Sequence, residues 1–133
     1  DHRPRTELPE FLSKLKQTVT ELARVGVQPV LMTLPPIDGA RYLDYICRGG
    51  LSRDSIMRWL GDVGCIYRHQ ELYSDTVASF AMREGLPLID VRRRFLPQRD
   101  LSELISADGI RLTMPGYRQL FDTLAQWVVP QLA

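Results

Sequence analysis

Cysteine is scarce: Cys47 and Cys65 are the only two in 133 residues. Two thiols make neither a disulfide scaffold nor a zinc-ligand pattern, which leaves free or buried thiols or one bridge. Histidine is as scarce, with His2 and His69 only, so a zinc site has no ligand set. An excess of one charge is also missing. Seventeen basic and sixteen acidic residues leave a net charge of +1, too little field to steer the chain toward nucleic acid or an anionic bilayer. No apolar run approaches the roughly 20 residues of a membrane span, and no signal-peptide pattern opens the chain. Lysine is nearly absent, Lys14 and Lys16 against fifteen arginines, which reads as codon or lineage bias. The sequence does not name a compartment; it favours the cytoplasm slightly and leaves secretion open.

What is present is an ordinary folding composition, 44% apolar and 25% charged, in an amount that suits one domain, residues 1–133, or part of one. Leu8, Phe11, Leu12, Leu15, Val19 and Leu22 repeat in steps of three and four. This predicts a helix from about Leu8 to Val25, with Thr6 as its N-cap, Pro9 in its first turn and Gly26 ending it. Pro29 to Leu34 is a short apolar run without alternation, as in a strand buried on both faces. Pro35 to Gly50 reads as a long irregular loop. Ser52 caps a short helix to Leu60, and a longer one covers Val63 to Glu84, with Ile66, Tyr73, Val77, Phe80 and Ala81 facing inward. Pro87 to Val91 is the second strand. Asp100 and Glu103 form a candidate capping box for Leu101 to Ile105. The last helix begins near Pro115 under a Thr113 cap and buries Tyr117, Leu120, Phe121, Leu124 and Val128.

This order is α/β. Two parallel strands make a very narrow sheet, so a further strand is expected beside them. It would come from missed strands, from an N-terminal part lying ahead of Asp1, or from another chain. Incomplete cover predicts exposed apolar surface, and with it a homo-oligomer or a segment swap.

The most informative segment is Ser106-Ala107-Asp108-Gly109-Ile110-Arg111-Leu112-Thr113-Met114-Pro115-Gly116-Tyr117. It resembles the final block of the SGNH hydrolases, the GDSL-type lipases, esterases and acylhydrolases, in which D-G-I-H-L-T-x-x-G-Y carries the triad Asp and His. Val30 to Gly39 looks like the family strand and following loop. Leu86 to Val91 looks like its last strand, and Asp1-His2-Arg3-Pro4 like the residues from the Asp of G-x-N-D. The resemblance covers nearly the whole chain in order. It implies the C-terminal portion of a three-layer α/β/α flavodoxin-like sandwich with a parallel sheet whose N-terminal strands are missing. It also implies hydrolysis of an ester or acylated-carbohydrate substrate through a serine acyl-enzyme, without metal or organic cofactor. The oxyanion would be held by the serine N–H, a glycine N–H and an asparagine side chain.

The sequence departs from that pattern twice. The Ser, Gly and Asn blocks are absent. Position 111, where the resemblance puts the base, is arginine, which stays protonated and offers no acceptor lone pair. Asp108 is then the one triad position retained, Arg111 is not competent as a base, and this chain is not expected to hydrolyse esters unaided. The bland reading of Asp108-Gly109 is a turn, that of Arg111 a surface ion pair with Asp108, and that of Ser102 and Ser106 plain turn and helix residues. Arg41, Tyr42 and Tyr45, with Arg48, are candidate substrate-binding residues, because ligands of α/β sheets collect beyond strand carboxyl ends. Arg92-Arg93-Arg94 reads as a solvated run that could line the same site. His69 reads as a helix residue without a catalytic partner. Two other functions compete: a non-catalytic relative binding an anionic or carbohydrate ligand, and an unrelated flavodoxin-like interaction domain.

Overall fold

In a computed structural model that describes residues 7–133, the chain is mostly helical. Seven helices surround a two-stranded parallel sheet: α1 (Leu8–Arg24), β1 (Leu31–Met32), α2 (Gly39–Arg48), α3 (Arg53–Leu60), α4 (Gly64–Glu84), β2 (Leu88–Ile89), α5 (Val91–Phe95), α6 (Leu101–Leu104) and α7 (Met114–Gln131). The expected three-layer sandwich with a multi-stranded sheet is therefore corrected. Leu31 pairs with Leu88 and Met32 with Ile89, and no third strand joins them among the described residues.

The strands are short for a reason visible in the sequence. Proline has no N–H for a ladder, and Pro29, Pro35-Pro36 and Pro87 bracket the two runs. The Leu31 N–H donates to the Pro87 carbonyl at 3.0 Å and the Thr33 N–H to the Ile89 carbonyl at 3.1 Å. Beyond them Asp90 turns the chain out of the sheet, its carboxylate accepting from the Arg93 N–H at 3.2 Å as the N-cap of α5. Buried Thr33 ties the two strand ends: its hydroxyl donates to Asp90 and accepts from the Arg92 N–H, both at 2.9 Å.

Val91 and Phe95 of α5 are fully buried and join Ile89 and Leu104 in the main core. Leu120, Leu124 and Trp127 of α7 close over them. A second set, Ile66, Val77, Phe80 and Ala81, faces inward from α4. Ser74 of α4 is buried as well, and the half-buried Tyr73 ring packs on Phe11 of α1 at 5.0 Å. The α1 stripe has the expected spacing, but none of its residues is fully buried. Gly26 ends α1 with positive φ, as expected, and Gly85 ends α4 in the same way.

Other expectations need correction. The stretch from Pro35 to Gly50 is not an irregular loop, because Asp38 accepts from the Arg41 N–H at 3.1 Å and starts α2. Asp100 makes no side-chain cap on α6. Tyr117, Phe121 and Val128 of α7 are exposed, because Gly116 and Thr123 define its buried side. Arg92 is buried, while Arg93 and Arg94 are exposed. Thr6, His2 and the Asp1-His2-Arg3-Pro4 match lie outside the described residues.

Candidate functional site

The site is built from one turn and one helix. Residues 105–112 fold back on themselves: Ile105 and Leu112 form an antiparallel bridge, and the Ser106 N–H donates to the Arg111 carbonyl at 2.8 Å. Thr113 then caps α7, accepting from the Gly116 N–H at 3.2 Å, and its hydroxyl donates to the Glu103 carbonyl at 2.7 Å.

The turn docks on the N-terminus of α2. The Asp38 N–H donates to the Gly109 carbonyl at 2.8 Å. Gly109 has φ +79°, and a Cβ there would overlap the Asp38 carbonyl and the Tyr42 nitrogen. Both its dihedral and its surroundings admit only glycine.

Asp108 is the centre of the turn. One carboxylate oxygen accepts from the Ser106 hydroxyl at 2.7 Å and from the N–H groups of Ile110 and Arg111, each at 2.9 Å. The other lies 3.3 Å from Arg111 Nε. The Arg111 N–H above all, then the Ile110 N–H and the Ser106 hydroxyl, hold its carboxyl down at about 2, because donors aimed at a carboxylate favour the charged form. It is a fixed anion and no proton acceptor at neutral pH. The Arg111 side chain is 79% exposed and that of Asp108 16%, so the pair sits at the surface with its carboxylate turned inward.

Arg41 is committed to structure. Its guanidinium donates to the Ser102 carbonyl at 2.8 Å and the Ile105 carbonyl at 2.5 Å, and Nε lies 3.4 Å from Asp38. It binds the carbonyls of α6 and the turn to α2. Tyr42 is half-buried under the same turn. Tyr45, one turn further along α2, is half exposed. With Arg48 and Leu51 it faces Ala107 and Asp108 across a cleft of about 640 Å³.

The structure thus brings Asp108, Tyr45 and Arg48 to one cleft, places Arg111 beside Asp108, and assigns Arg41 and Tyr42 to holding its wall. Ser106 was read as a plain turn residue, yet its hydroxyl is one of three donors to Asp108; its position two residues ahead of an Asp-Gly was the available signal. Arg92 stands apart from this cleft. Its guanidinium donates to Gln70 at 2.6 Å and the Leu34 carbonyl at 3.2 Å, pairs with Glu71 at 3.2 Å, and lies 5.0 Å from the Tyr67 ring. His69 lies on α4 with its ring 5.0 Å from that of Tyr73. Cys47 and Cys65 are free and half-buried. Among the described residues no three His, Cys, Asp or Glu side chains gather where a metal ion could sit, and no helix is long and apolar enough to cross a membrane.

No protein-family model matches the sequence, and no curated protein matches it.

Proposed function

We propose that this chain is related to the SGNH (GDSL-type) acylhydrolases, which pass an acyl group from an ester to a serine and then to water. It keeps the acid-residue turn of such a site and has lost the base. The supporting observation is the Asp108 carboxylate, oriented by three donors at the rim of a cleft, with its remaining oxygen 3.3 Å from the side chain three residues on. A carboxylate so held can fix an imidazole's tautomer and stabilise its charged form. Arginine at that position has no lone pair to take a serine proton. This chain alone is therefore not expected to hydrolyse an ester or acylated carbohydrate, since the serine, glycine and asparagine blocks of such a site are also absent from it.

A second reading, a non-catalytic protein for an anionic or carbohydrate ligand, is favoured by Arg48 at the cleft and the exposed Arg111 guanidinium. An aromatic ring beside a cation suits a sugar bearing a negative group.

Turnover of p-nitrophenyl acetate and butyrate tests the first reading. The chain is expected to stay at the buffer rate; hydrolysis that Asp108→Asn abolishes would show that arginine serves after all. Nuclear magnetic resonance of Arg111→His tests the geometry. The introduced imidazole is expected to titrate above the ordinary value of about 6.5 because Asp108 faces it. Titration at the ordinary value would remove the triad relation. Amide shifts of Tyr45 and Ala107 on adding acetylated or anionic sugars separate the two readings.

A further inference from the structure

α3 is suspended between two glycines at the edge of the Asp108 cleft. Gly50 precedes it at φ +103° and Gly61 ends it at φ +87°, and at both the space a Cβ would take is open. Glycine turns about its backbone bonds more freely than any other residue, and no neighbour obstructs it here. The helix between them has no buried side chain: Ile56, Met57 and Leu60 are half-buried and Trp59 is 73% exposed. An element with so little of itself in the interior belongs to the low-stability end of a fold. Toward α2 it is tied by the Arg53–Asp44 ion pair, whose side chains are both exposed, and such pairs contribute little in water. Leu51, between Gly50 and the Ser52 cap, lines the cleft with Tyr45, Ile46 and Arg48, yet among the described residues none of α3 does.

We propose that α3 is a lid for this cleft: it turns about Gly50 and Gly61, releases Asp44, and lays Arg58 and Trp59 over Asp108. The proposal rests on the reading of the cleft as a ligand site. Position supports it. The hinge at Gly50 is one residue from Leu51, in the wall of the cleft, so a rotation there changes the mouth itself. Reach supports it too. Trp59 follows Leu51 by eight residues, about 12 Å of helix, enough to cross the mouth of a cleft of about 640 Å³. The change in contacts favours closure, since the exposed indole leaves water while the bond given up is one surface ion pair. Closure would set Trp59 and Arg58 opposite Tyr45 and Arg48. A ligand there would have an aromatic face and a cation on both sides, which suits a sugar bearing a negative group, and water would be excluded around it.

Cysteine trapping on the full chain tests the motion without a ligand. In a Cys47→Ser, Cys65→Ser background, Trp59→Cys with Ala107→Cys is expected to form a disulfide within one chain on mild oxidation. Bonded sulfurs bring their Cβ atoms to about 4 Å, which these two positions reach only when α3 covers the cleft. Trp59→Cys with Glu84→Cys should stay reduced, because the 21 residues of α4 put about 30 Å between Glu84 and the Gly61 end. Adding Asp44→Asn should speed the first cross-link about two- to fivefold by freeing Arg53. If the paired variants lose helical circular dichroism, relaxation dispersion on the unaltered chain decides. Amides from Leu51 to Trp59 should then share one microsecond-to-millisecond exchange process while those of Val77 and Phe80 in α4 stay flat. The lid is overturned by a folded pair that never cross-links, by equal cross-linking of both pairs, by a rate that Asp44→Asn leaves unchanged, or by dispersion profiles as flat in α3 as in α4. No ligand enters these measurements, so their failure leaves the ester-site reading standing. Titration of the Arg111→His imidazole at its ordinary value removes that reading and leaves the trapping result as it is.

Discussion

Gly109→Ala and Gly26→Ala make a matched pair, because both glycines sit at φ +79° and only one is crowded. A residue with a Cβ pays about 1–2 kcal/mol to stay left-handed. The alanine also restricts the unfolded chain, which returns about 0.4–1 kcal/mol. At Gly26 nothing lies within 4 Å of the added carbon, so the net loss should be near 1 kcal/mol, the difference of those two effects. At Gly109 the carbon meets the Asp38 carbonyl and the Tyr42 nitrogen. Those are backbone atoms of a helix start that cannot swing away, and overpacking of this kind adds about 1–3 kcal/mol. Gly109→Ala should therefore cost about 2–4 kcal/mol in all. Urea unfolding reads the difference as an extra fall in midpoint of about 1 M at an ordinary m value, with m unchanged. The overlap should also push the turn off α2. The Ile110 and Arg111 amide resonances, which report their bonds to Asp108, should move in Gly109→Ala and stay in place in Gly26→Ala. Equal stability losses in the two variants, or unmoved amides, would refute the docking of the turn on α2.

Three further outcomes follow from the same contacts. The Asp108 carboxyl lies at about 2 when folded and near 3.9 when unfolded, so on acidification the unfolded chain takes up this proton first. Its stabilisation is complete above about pH 4–5 and is lost as pH falls toward 2; acid titrations of stability should be flatter in that window for Asp108→Asn, and equal slopes would contradict the three-donor geometry. Thr113→Ala should cost about 1 kcal/mol for the α7 cap, most of it recovered by Thr113→Ser, as read by thermal melting; no recovery would mean that the hydroxyl is not the cap. Arg92→Met should cost only about 1–3 kcal/mol, because buried Arg92 Nε has no partner and Glu71 is half exposed and can return to water; a loss above that range in urea unfolding would mean that the guanidinium holds the strand ends more tightly than its contacts imply.

Helix positions were legible where periodicity was joined by a capping side chain or a terminating glycine: Gly26 after α1, Ser52 before α3, Gly85 after α4 and Thr113 before α7. The faces were less legible. The stripe through Tyr117, Phe121 and Val128 has the same spacing as the Leu120, Leu124 and Trp127 stripe, and periodicity does not choose between two apolar faces of one helix. The choice is made by Gly116, where a Cβ would overlap the Leu104 carbonyl, a close approach with no signature in one sequence. α2 was hidden because Pro35, Pro36 and Asp38-Gly39 are loop signals, yet Asp38 is also an N-cap and Gly39 lies against Ile66. Arg92 was hidden in a run of three arginines, only one of which is on the buried side of α5. At the site, Asp108 and Arg111 were visible as a pair. The work of Arg41 was not, since binding carbonyls 61 and 64 residues away leaves no local pattern.

The order of the turn does not depend on what stands at position 111. The donors that fix Asp108 are two backbone N–H groups and the Ser106 hydroxyl, and all three aim at one oxygen. The Arg111 side chain meets only the other oxygen, mostly in water, where such pairs contribute little. The geometry of the Asp108 carboxylate and the identity of the side chain at position 111 are therefore separable here. Arg111→Ala should leave the Ile110 amide resonance and the folded state nearly unchanged, whereas Ser106→Ala should raise the Asp108 carboxyl and loosen the turn. If the two variants behaved the other way round, the carboxylate would be held by the guanidinium, and the turn would be an ion-pair feature with no bearing on proton relay.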